Sequence, residues 1–445
     1  MRIAIIPAFF AGLSITVTGG AQQTPPIPAP ADSVPGATSS LGGPGVRPLP
    51  QATVSAKDPL MVTGVRALSD GRVLVNEGTR RRLLLFDSTL TQIAVIADSA
   101  TGAGNAYGTR AGTLLAHLAD SSLLIDVTSL SMLVIDPDGK IVRVRAVPRS
   151  TDVTYIGGGS PTYGFPGFDA EGRLIYRGPT PSAIPRIPQG GGVLIPETPD
   201  SASIRRIDLA TRKMDSIAMV KINRPSYIAT QTASGGISMR GRSNPLPLID
   251  EWAVVTDGSI ALVRGRDYHI DWINPDGTRS SSPKMPFDWQ RLDLDQKTLM
   301  LDSLRKAAEQ ARVRSLALMQ ARYDSLVEVA RTTRGPMPTP PPPAAEYMAM
   351  LASNFVPADE LPDYRPPFGL GAVRSDADNN VWIRTNPMRP TPGGPIYDVV
   401  NRQGEIIDRI QFTGNRALVG FGPGGVVFVA SRGATGTRLD KVRLR

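Results

Sequence analysis

Short apolar runs bounded by turn residues recur along most of the chain. Six segments repeat a turn followed by a short β-rich run, at 70–78, 120–128, 171–179, 257–265, 378–386 and 424–432. After five of them a second run ends in an apolar residue and Asp or Asn, at 83–90, 133–140, 204–211, 271–278 and 398–405. Because a further apolar run precedes each first turn and another follows each second one, the pattern predicts four strands per unit. Six four-stranded units around an axis are the blades of a β-propeller, so we predict an all-β, six-bladed propeller over residues 51–445.

The pattern also predicts how the ring closes. The run at 437–445 corresponds to the third strand of the last blade, so that blade lacks a fourth strand. Residues 52–57 lie just upstream of the first strand of blade 1 and have no other partner. We expect them to complete the last blade, because closure removes an unpaired edge that would template aggregation.

One long segment departs from the β pattern. Residues 287–367 form an insertion between blades 4 and 5, and 293–332 contain no Gly or Pro. The apolar positions mark one face of a helix, with a phase slip near 313 that fits either one long helix or two joined ones. The proline run 338–343 ends the helix, and 346–353 predict a short helical turn. We expect the apolar stripe to pack on the propeller, with an exposed partner-binding helix as the alternative.

The composition agrees with a β protein that is rich in turns. The 445 residues include 44 Gly and 41 Pro and no Cys, which excludes disulfides, thiolate zinc sites and cysteine nucleophiles.

Arg2, the apolar run 3–17 and small residues up to Ala21 predict a signal peptide cleaved after Ala21. Residues 22–50 are rich in Pro, Ala, Ser and Gly and predict a disordered tether. We expect a secreted or periplasmic monomer without a transmembrane segment.

The repeats resemble a known class of propeller. Phrases such as DYHIDWINPDG (267–277) and DADNNVWIRT (376–385) are similar to the NHL-like six-bladed propellers of exported bacterial proteins. The resemblance covers roughly residues 51–445. Asp376, Asp378 and Asn380 also suggest a calcium loop, but they coincide with a turn between strands of the repeat, and we expect a plain turn.

Signatures of catalysis are sparse. The chain has two histidines, His117 and His269, and neither a G-x-S-x-G elbow nor a Walker-type glycine loop. Propellers that resemble lactonases hold a divalent metal with Glu, Asp and Asn at the inner ends of several blades. Asp250 and Glu251 lie at such a position, before the first strand of blade 4, whereas the other blades present Tyr107, Tyr163, Phe368 and Arg416 there. The sequence therefore predicts no catalytic residue, metal or cofactor, with a metal-assisted hydrolase or lyase as the alternative function.

Loop lengths predict a binding face. Links from a second to a third strand, and from a fourth strand to the next blade, open on one face of a propeller. The long insertions 178–202, 386–394, 221–250 and 287–367 all fall there, and binding groups usually ride on such loops. Arginines recur at or beside these links, at Arg80, Arg177, Arg264, Arg266, Arg389, Arg416 and Arg432. They favour carboxylate, phosphate or sulfate, although solvated, scattered charges are the alternative.

The candidate binding residues follow from the strand ends and the loops of that face. They are Tyr163, Asp250, Glu251, Trp252, Arg264, Arg266 and Arg416. The expected ligand is an anionic small molecule, a glycan or a protein partner. The formal net charge of +9 raises the question of nucleic acid, but the positive charges are spread along the chain and an exported protein rarely meets nucleic acid. The sequence therefore predicts a non-catalytic binding or scaffold propeller.

Overall fold

The structure is a computed structural model, and it shows a mostly β chain arranged as a six-bladed propeller. The residues it describes are 43–99, 107–157, 161–181, 184–188, 192–231, 235–345, 354–386, 393–433 and 436–444. The signal peptide with Ala21, residues 22–42 of the tether, Arg389 and the helical turn expected at 346–353 lie outside the described residues.

Two short strands precede the blades, β1 (Val46–Pro48) and β2 (Val54–Ser55). Blade 1 consists of β3 (Gly64–Ala67), β4 (Val73–Glu77), β5 (Arg82–Phe86) and β6 (Gln92–Asp98). Blade 2 consists of β7 (Thr113–Ala116), β8 (Ser122–Asp126), β9 (Ser131–Ile135) and β10 (Ile141–Ala146). A short helix, α1 (Val153–Gly157), leads into blade 3, whose strands are β11 (Gly167–Phe168), β12 (Leu174–Arg177), β13 (Ser201–Ile207) and β14 (Met214–Lys221).

A hairpin of β15 (Ser226–Gln231) and β16 (Ile237–Arg242) separates blade 3 from blade 4. Blade 4 consists of β17 (Glu251–Val254), β18 (Ile260–Arg264), β19 (His269–Ile273) and β20 (Arg279–Ser281). The long helix α2 (Leu294–Thr333) follows. Blade 5 consists of β21 (Phe368–Ser375), β22 (Val381–Thr385), β23 (Ile396–Val400) and β24 (Ile406–Gln411). Blade 6 contains β25 (Arg416–Gly422), β26 (Val426–Gly433) and β27 (Gly436–Arg443).

Packing between neighbouring blades forms the core. Each pair of adjacent blades shares one cluster of buried side chains, so six clusters follow one another around the ring. The second strand of a blade lies between two such clusters and is buried on both faces, as in β4 and β12. This double burial explains why the sequence shows continuous apolar runs there rather than a strict alternation.

Ring closure follows the prediction. β2 pairs antiparallel with β27, with Val54 opposite Lys441, and so supplies the missing fourth strand of blade 6. The chain is ordered earlier than the expected boundary at residue 50, because Val46–Pro48 form β1, a fifth strand parallel to β24 of blade 5. Arg47 of this strand is paired with Asp408. The outer edge of blade 5 is therefore covered as well.

The turns between strands are held by aspartates. The carboxylate of Asp376 accepts hydrogen bonds from the backbone N–H groups of Asp378 (2.9 Å) and Asn380 (2.8 Å). Asp378 in turn accepts from the backbone N–H groups of Gly424 and Gly425 in the corresponding turn of blade 6. These carboxylates accept hydrogen bonds from N–H donors of their own chain, as in a turn between strands.

The described part of the insertion between blades 4 and 5 includes a helix of 40 residues, which continues through the phase slip near 313. Asp293 is its N-cap in a capping box with Gln296, and Arg334 ends it in the left-handed conformation. Met300 and Leu301 pack in a cluster with Leu246, Leu292, Val356 and Leu361. The buried start of the helix thus packs on the interblade links and on its own return segment. Within the described chain, no helix is long and apolar enough to cross a membrane.

Candidate ligand-binding site

A cleft opens between blades 3 and 4, at the point where the two long loops of blade 3 leave the ring. Arg177 ends β12 before the loop 178–200, and Lys221 ends β14 before the link 222–250. Consecutive antiparallel strands alternate in direction, so both loops open on the same face, which we call the long-loop face. The cleft, called here the Arg177 cleft, is narrow, with a volume of about 10 Å³. It is lined by Thr162, Tyr163, Gly164, Arg177, Val220, Lys221, Ile222, Ile249, Asp250, Glu251, Trp252 and Leu370.

Arg177 is a buried cation without an ionic partner. Its side chain lies over the rings of Tyr163, at 4.7 Å, and Tyr155, at 6.0 Å, and its Nη1 donates to the carbonyl oxygen of Thr162 (3.1 Å). Among the described residues no carboxylate lies within 4.0 Å of it, and its buried Nε has no acceptor. Burial lowers the pKa of Arg177, but a guanidinium stays charged at neutral pH. The cleft therefore carries a positive charge that the described chain does not neutralise.

Trp252 supplies a second unsatisfied donor to the same cleft. The residue is 1% exposed, and its indole Nε1 has no hydrogen-bond partner in the described chain. Gly164 passes close to this nitrogen with a φ of 77°, and a Cβ at Gly164 would lie 2.4 Å from Nε1. Only glycine permits this approach, because both the conformation and the space exclude a larger residue. The backbone thus packs tightly against the indole without offering it an acceptor.

Glu251 is a buried carboxyl group that lines the same cleft as Arg177. It is 3% exposed and accepts a hydrogen bond from the backbone N–H of Gly371 (2.8 Å). Burial raises the pKa of Glu251 to about 8, opposed by that hydrogen bond and by the charges of Arg177 and Arg384. The carboxyl group is therefore mostly protonated at neutral pH, and it can donate a hydrogen bond as well as accept one.

Both carboxylate oxygens of Asp250, the residue before Glu251, accept hydrogen bonds from the protein. Its Oδ2 pairs with Arg264 at 2.8 Å and accepts from the backbone N–H of Lys221 at 3.0 Å. Its Oδ1 accepts from the N–H of Gly265 at 3.2 Å. Asp250 therefore fixes the end of β14 against the start of β17 and shapes the cleft wall.

The pair Asp250 and Glu251 does not fit a metal centre. Asp250 is neutralised by Arg264, and Glu251 lies in the field of Arg177, which repels a cation. Throughout the described residues no three His, Asp or Glu side chains come together as a possible metal-ligand set. A divalent metal needs several converging oxygen or nitrogen ligands, and Asp250 and Glu251 do not supply such a set.

The structure brings four of the seven candidate residues together. Tyr163, Asp250, Glu251 and Trp252 line the Arg177 cleft. Arg264 lies behind it, bound to Asp250 and to Asp271. Arg266 is exposed outside the cleft lining, and Arg416 lies at the ring closure on blade 6. Of the other arginines of this face, Arg80 pairs with Glu77 at 3.6 Å and Arg432 lies near Arg416.

Arg177 was named among the arginines of the long-loop face but not among the seven candidate binding residues, and Lys221, Leu370 and Tyr155 were not predicted. A signal for Arg177 exists, since an Arg-Gly pair ends the second strand of both blade 3 (Arg177-Gly178) and blade 4 (Arg264-Gly265). Only the structure shows that one of these arginines is paired with aspartates and the other is not.

Comparisons with known proteins give distant likenesses. No protein-family model matches the chain, and no curated protein matches it in sequence. Similar solved structures include a gluconolactonase from Xanthomonas campestris, with 12% identity over 89% of this chain and 98% of that chain (TM-score 0.36). A Bacteroides fragilis protein described as exported has 10% identity over 91% and 95% of the two chains (TM-score 0.40). A calcium-binding regucalcin from Agrobacterium tumefaciens has 10% identity over 88% and 96% (TM-score 0.29). Similarities this distant carry no argument about function.

Proposed function

We propose that this chain is an exported, non-catalytic propeller that binds an anionic ligand in the Arg177 cleft. One observation carries the proposal: Arg177 Nε and Trp252 Nε1 are buried donors of the same cleft, and both lack an acceptor in the described chain. A buried donor without a partner costs about 1–3 kcal/mol. A ligand oxygen that accepts these hydrogen bonds recovers that cost, and a negative one also neutralises Arg177.

The size of the cleft narrows the ligand class. Its volume of about 10 Å³ is room for about one water-sized group. The cleft therefore admits one oxygen of an acid group, and the rest of the ligand would lie outside the cleft on the long-loop face. A carboxylate matches the planar fork of Arg177 and can accept a hydrogen bond from protonated Glu251. We favour an acidic glycan with exposed carboxylates.

Export and family are parts of the same proposal. The apolar run 3–17 and the small residues up to Ala21 support secretion, and intact mass of the mature protein should show a start near Gln22. The turn-plus-strand repeats support an NHL-like propeller. The metal-assisted hydrolase or lyase has no specific observation in its favour, because Asp250 and Glu251 are engaged as described above.

The test is calorimetric titration with uronate oligosaccharides and with the same oligosaccharides reduced to neutral sugars. We expect binding of the acidic set alone, weakening with added salt because charge attraction is screened over ~8 Å at physiological ionic strength. Arg177→Lys keeps a positive charge but loses the fork, and we expect its affinity to fall at least ~10-fold.

The matched control is Arg206→Gln in the same blade, where Arg206 pairs with Asp215 at the surface. This control should bind as the wild type does. The proposal is wrong if the wild type binds neutral and acidic sugars alike, or if Arg177→Lys binds as tightly as Arg206→Gln.

A further inference from the structure

A second, larger cleft lies at the closure of the ring. Here the N-terminal segment 46–60, called the strap, crosses from blade 5 to blade 6. The cleft, called the seam cleft, has a volume of about 250 Å³ between strap residues Gln51 and Ala52, the link 413–415 and strands of blade 6. One wall of the cleft therefore belongs to the strap and the other to the ring.

The seam cleft has an excess of positive charge. Arg416, Arg432 and Arg438 line it, together with a single carboxylate, Asp440. Arg438 Nε donates to that carboxylate at 2.9 Å, and the other oxygen of Asp440 accepts from Ser431. The exposed side chain of Arg432 has no hydrogen-bond or ion-pair partner within the described part of the chain. Two of the three guanidinium charges thus remain uncompensated.

Arg416 joins the strap to the ring. Its Nη1 donates to the carbonyl oxygen of Pro50 (3.0 Å), its Nε to that of Thr413 (3.1 Å), and its Nη2 to Thr413 Oγ1 (2.9 Å). All of these acceptors are neutral. Arg416 therefore binds the strap, and these acceptors do not neutralise its positive charge, which can attract an anion in the cleft. A negative group bound here would contact both walls of the seam.

We propose that the seam cleft binds a dianionic oxyanion group, a phosphate or a sulfate. This group contacts Arg432 and Arg438 of blade 6 and also Arg416, the arginine that binds the strap. Guanidinium groups suit such tetrahedral oxyanions, and the volume accommodates the group together with part of a carrier molecule. Because the site requires the strap, its occupancy holds the ring closed. This inference is independent of the Arg177 cleft.

Hydrogen exchange of the strap tests the coupling. The amides of Leu49, Thr53, Ala56 and Leu60 donate to carbonyls of blades 5 and 6, and they become free only when the strap detaches. Inorganic phosphate and inorganic sulfate are each added at constant ionic strength, with chloride as the reference. We expect strap exchange to slow by about 10-fold at ten times the Kd, since a ligand bound only to the closed form stabilises it by the factor 1 + [L]/Kd.

Variants and internal references make the result specific. Arg432→Gln/Arg438→Gln should abolish the slowing, and the single Arg432→Gln variant, at an exposed position, serves if the double variant does not fold. Arg443→Gln, exposed on the same strand but outside the cleft lining, should respond as the wild type does. Arg177→Lys should also respond fully, which separates this inference from the proposed function.

Two results would overturn the inference. One is slowing that is equal in chloride or spread over all blades, since sulfate and phosphate stabilise folded proteins generally. The other is slowing that persists in the arginine variants. A response to sulfate alone or to phosphate alone identifies the oxyanion and supports the site.

Discussion

Replacing Glu251 with Gln tests the electrostatics of the Arg177 cleft. The amide is nearly isosteric and still accepts the hydrogen bond from Gly371, but it cannot ionise. In the wild type, burial raises the pKa of Glu251 from 4.5 to about 8 in the folded chain. The folded state therefore holds a proton that the unfolded state has released, and stability falls as the pH rises from the unfolded pKa through the folded pKa.

The expected magnitude follows from these two pKa values. Ionisation of the buried carboxyl group lowers the free energy of unfolding by at most about 5 kcal/mol in total. About 2.5 kcal/mol of this decrease falls between pH 6 and pH 9. Glu251→Gln lacks this loss. The free energy of unfolding of the variant, relative to that of the wild type, should therefore rise by about 2.5 kcal/mol between pH 6 and pH 9.

Urea unfolding followed by tryptophan fluorescence and circular dichroism at pH 6, 7, 8 and 9 measures the difference. Glu197→Gln is the control, because its side chain is 91% exposed in a loop of the same face. This variant should follow the wild-type pH dependence. If Glu251→Gln also runs parallel to the wild type from pH 6 to pH 9, the carboxyl is ionised at neutral pH and our electrostatic description of the cleft is wrong.

Two further predictions concern the fold. Deletion of 51–58 removes β2 and should lower the melting temperature by roughly 5 °C or more, because the edge of β27 becomes unpaired; an unchanged melt would rule out closure by this strand. Excision of 291–364 should remove much of the helical circular dichroism and leave the β signal, since Gln290 and Arg365 are hydrogen-bonded and a short linker joins them. Loss of the β signal as well would show that the insertion is part of the core.

Local pattern was enough to predict the blades. Turn residues and apolar runs repeat with the strands they form, and the helix observed at 294–333 lies within one residue of the prediction because a long stretch without Gly or Pro has few alternatives. β1 carried no such signal. Val46–Pro48 lie in a Pro- and Gly-rich context, and they become a strand only because β24, more than 350 residues away, offers a free edge.

The candidate site was predictable in position but not in partners. Asp250, Glu251 and Trp252 were found because the start of an inner strand in a propeller faces the channel mouth. Whether an arginine of this face is free or paired depends on neighbours distant in sequence, as Arg264 shows with Asp250 and Asp271. The unsatisfied indole of Trp252 is likewise a property of the packed structure alone.

The most direct test of the central claim is the indole N–H signal of Trp252. The chain has four tryptophans, so indole-¹⁵N labelling gives four side-chain signals, which single Trp→Phe variants assign. Trp382 already donates to Asp376 at 3.0 Å and serves as a reference. On titration with a uronate oligosaccharide we predict a downfield shift of the Trp252 proton as it gains an acceptor, with the Trp382 signal unchanged and no shift in Arg177→Lys. A bound acidic ligand that leaves the Trp252 signal in place would contradict the account.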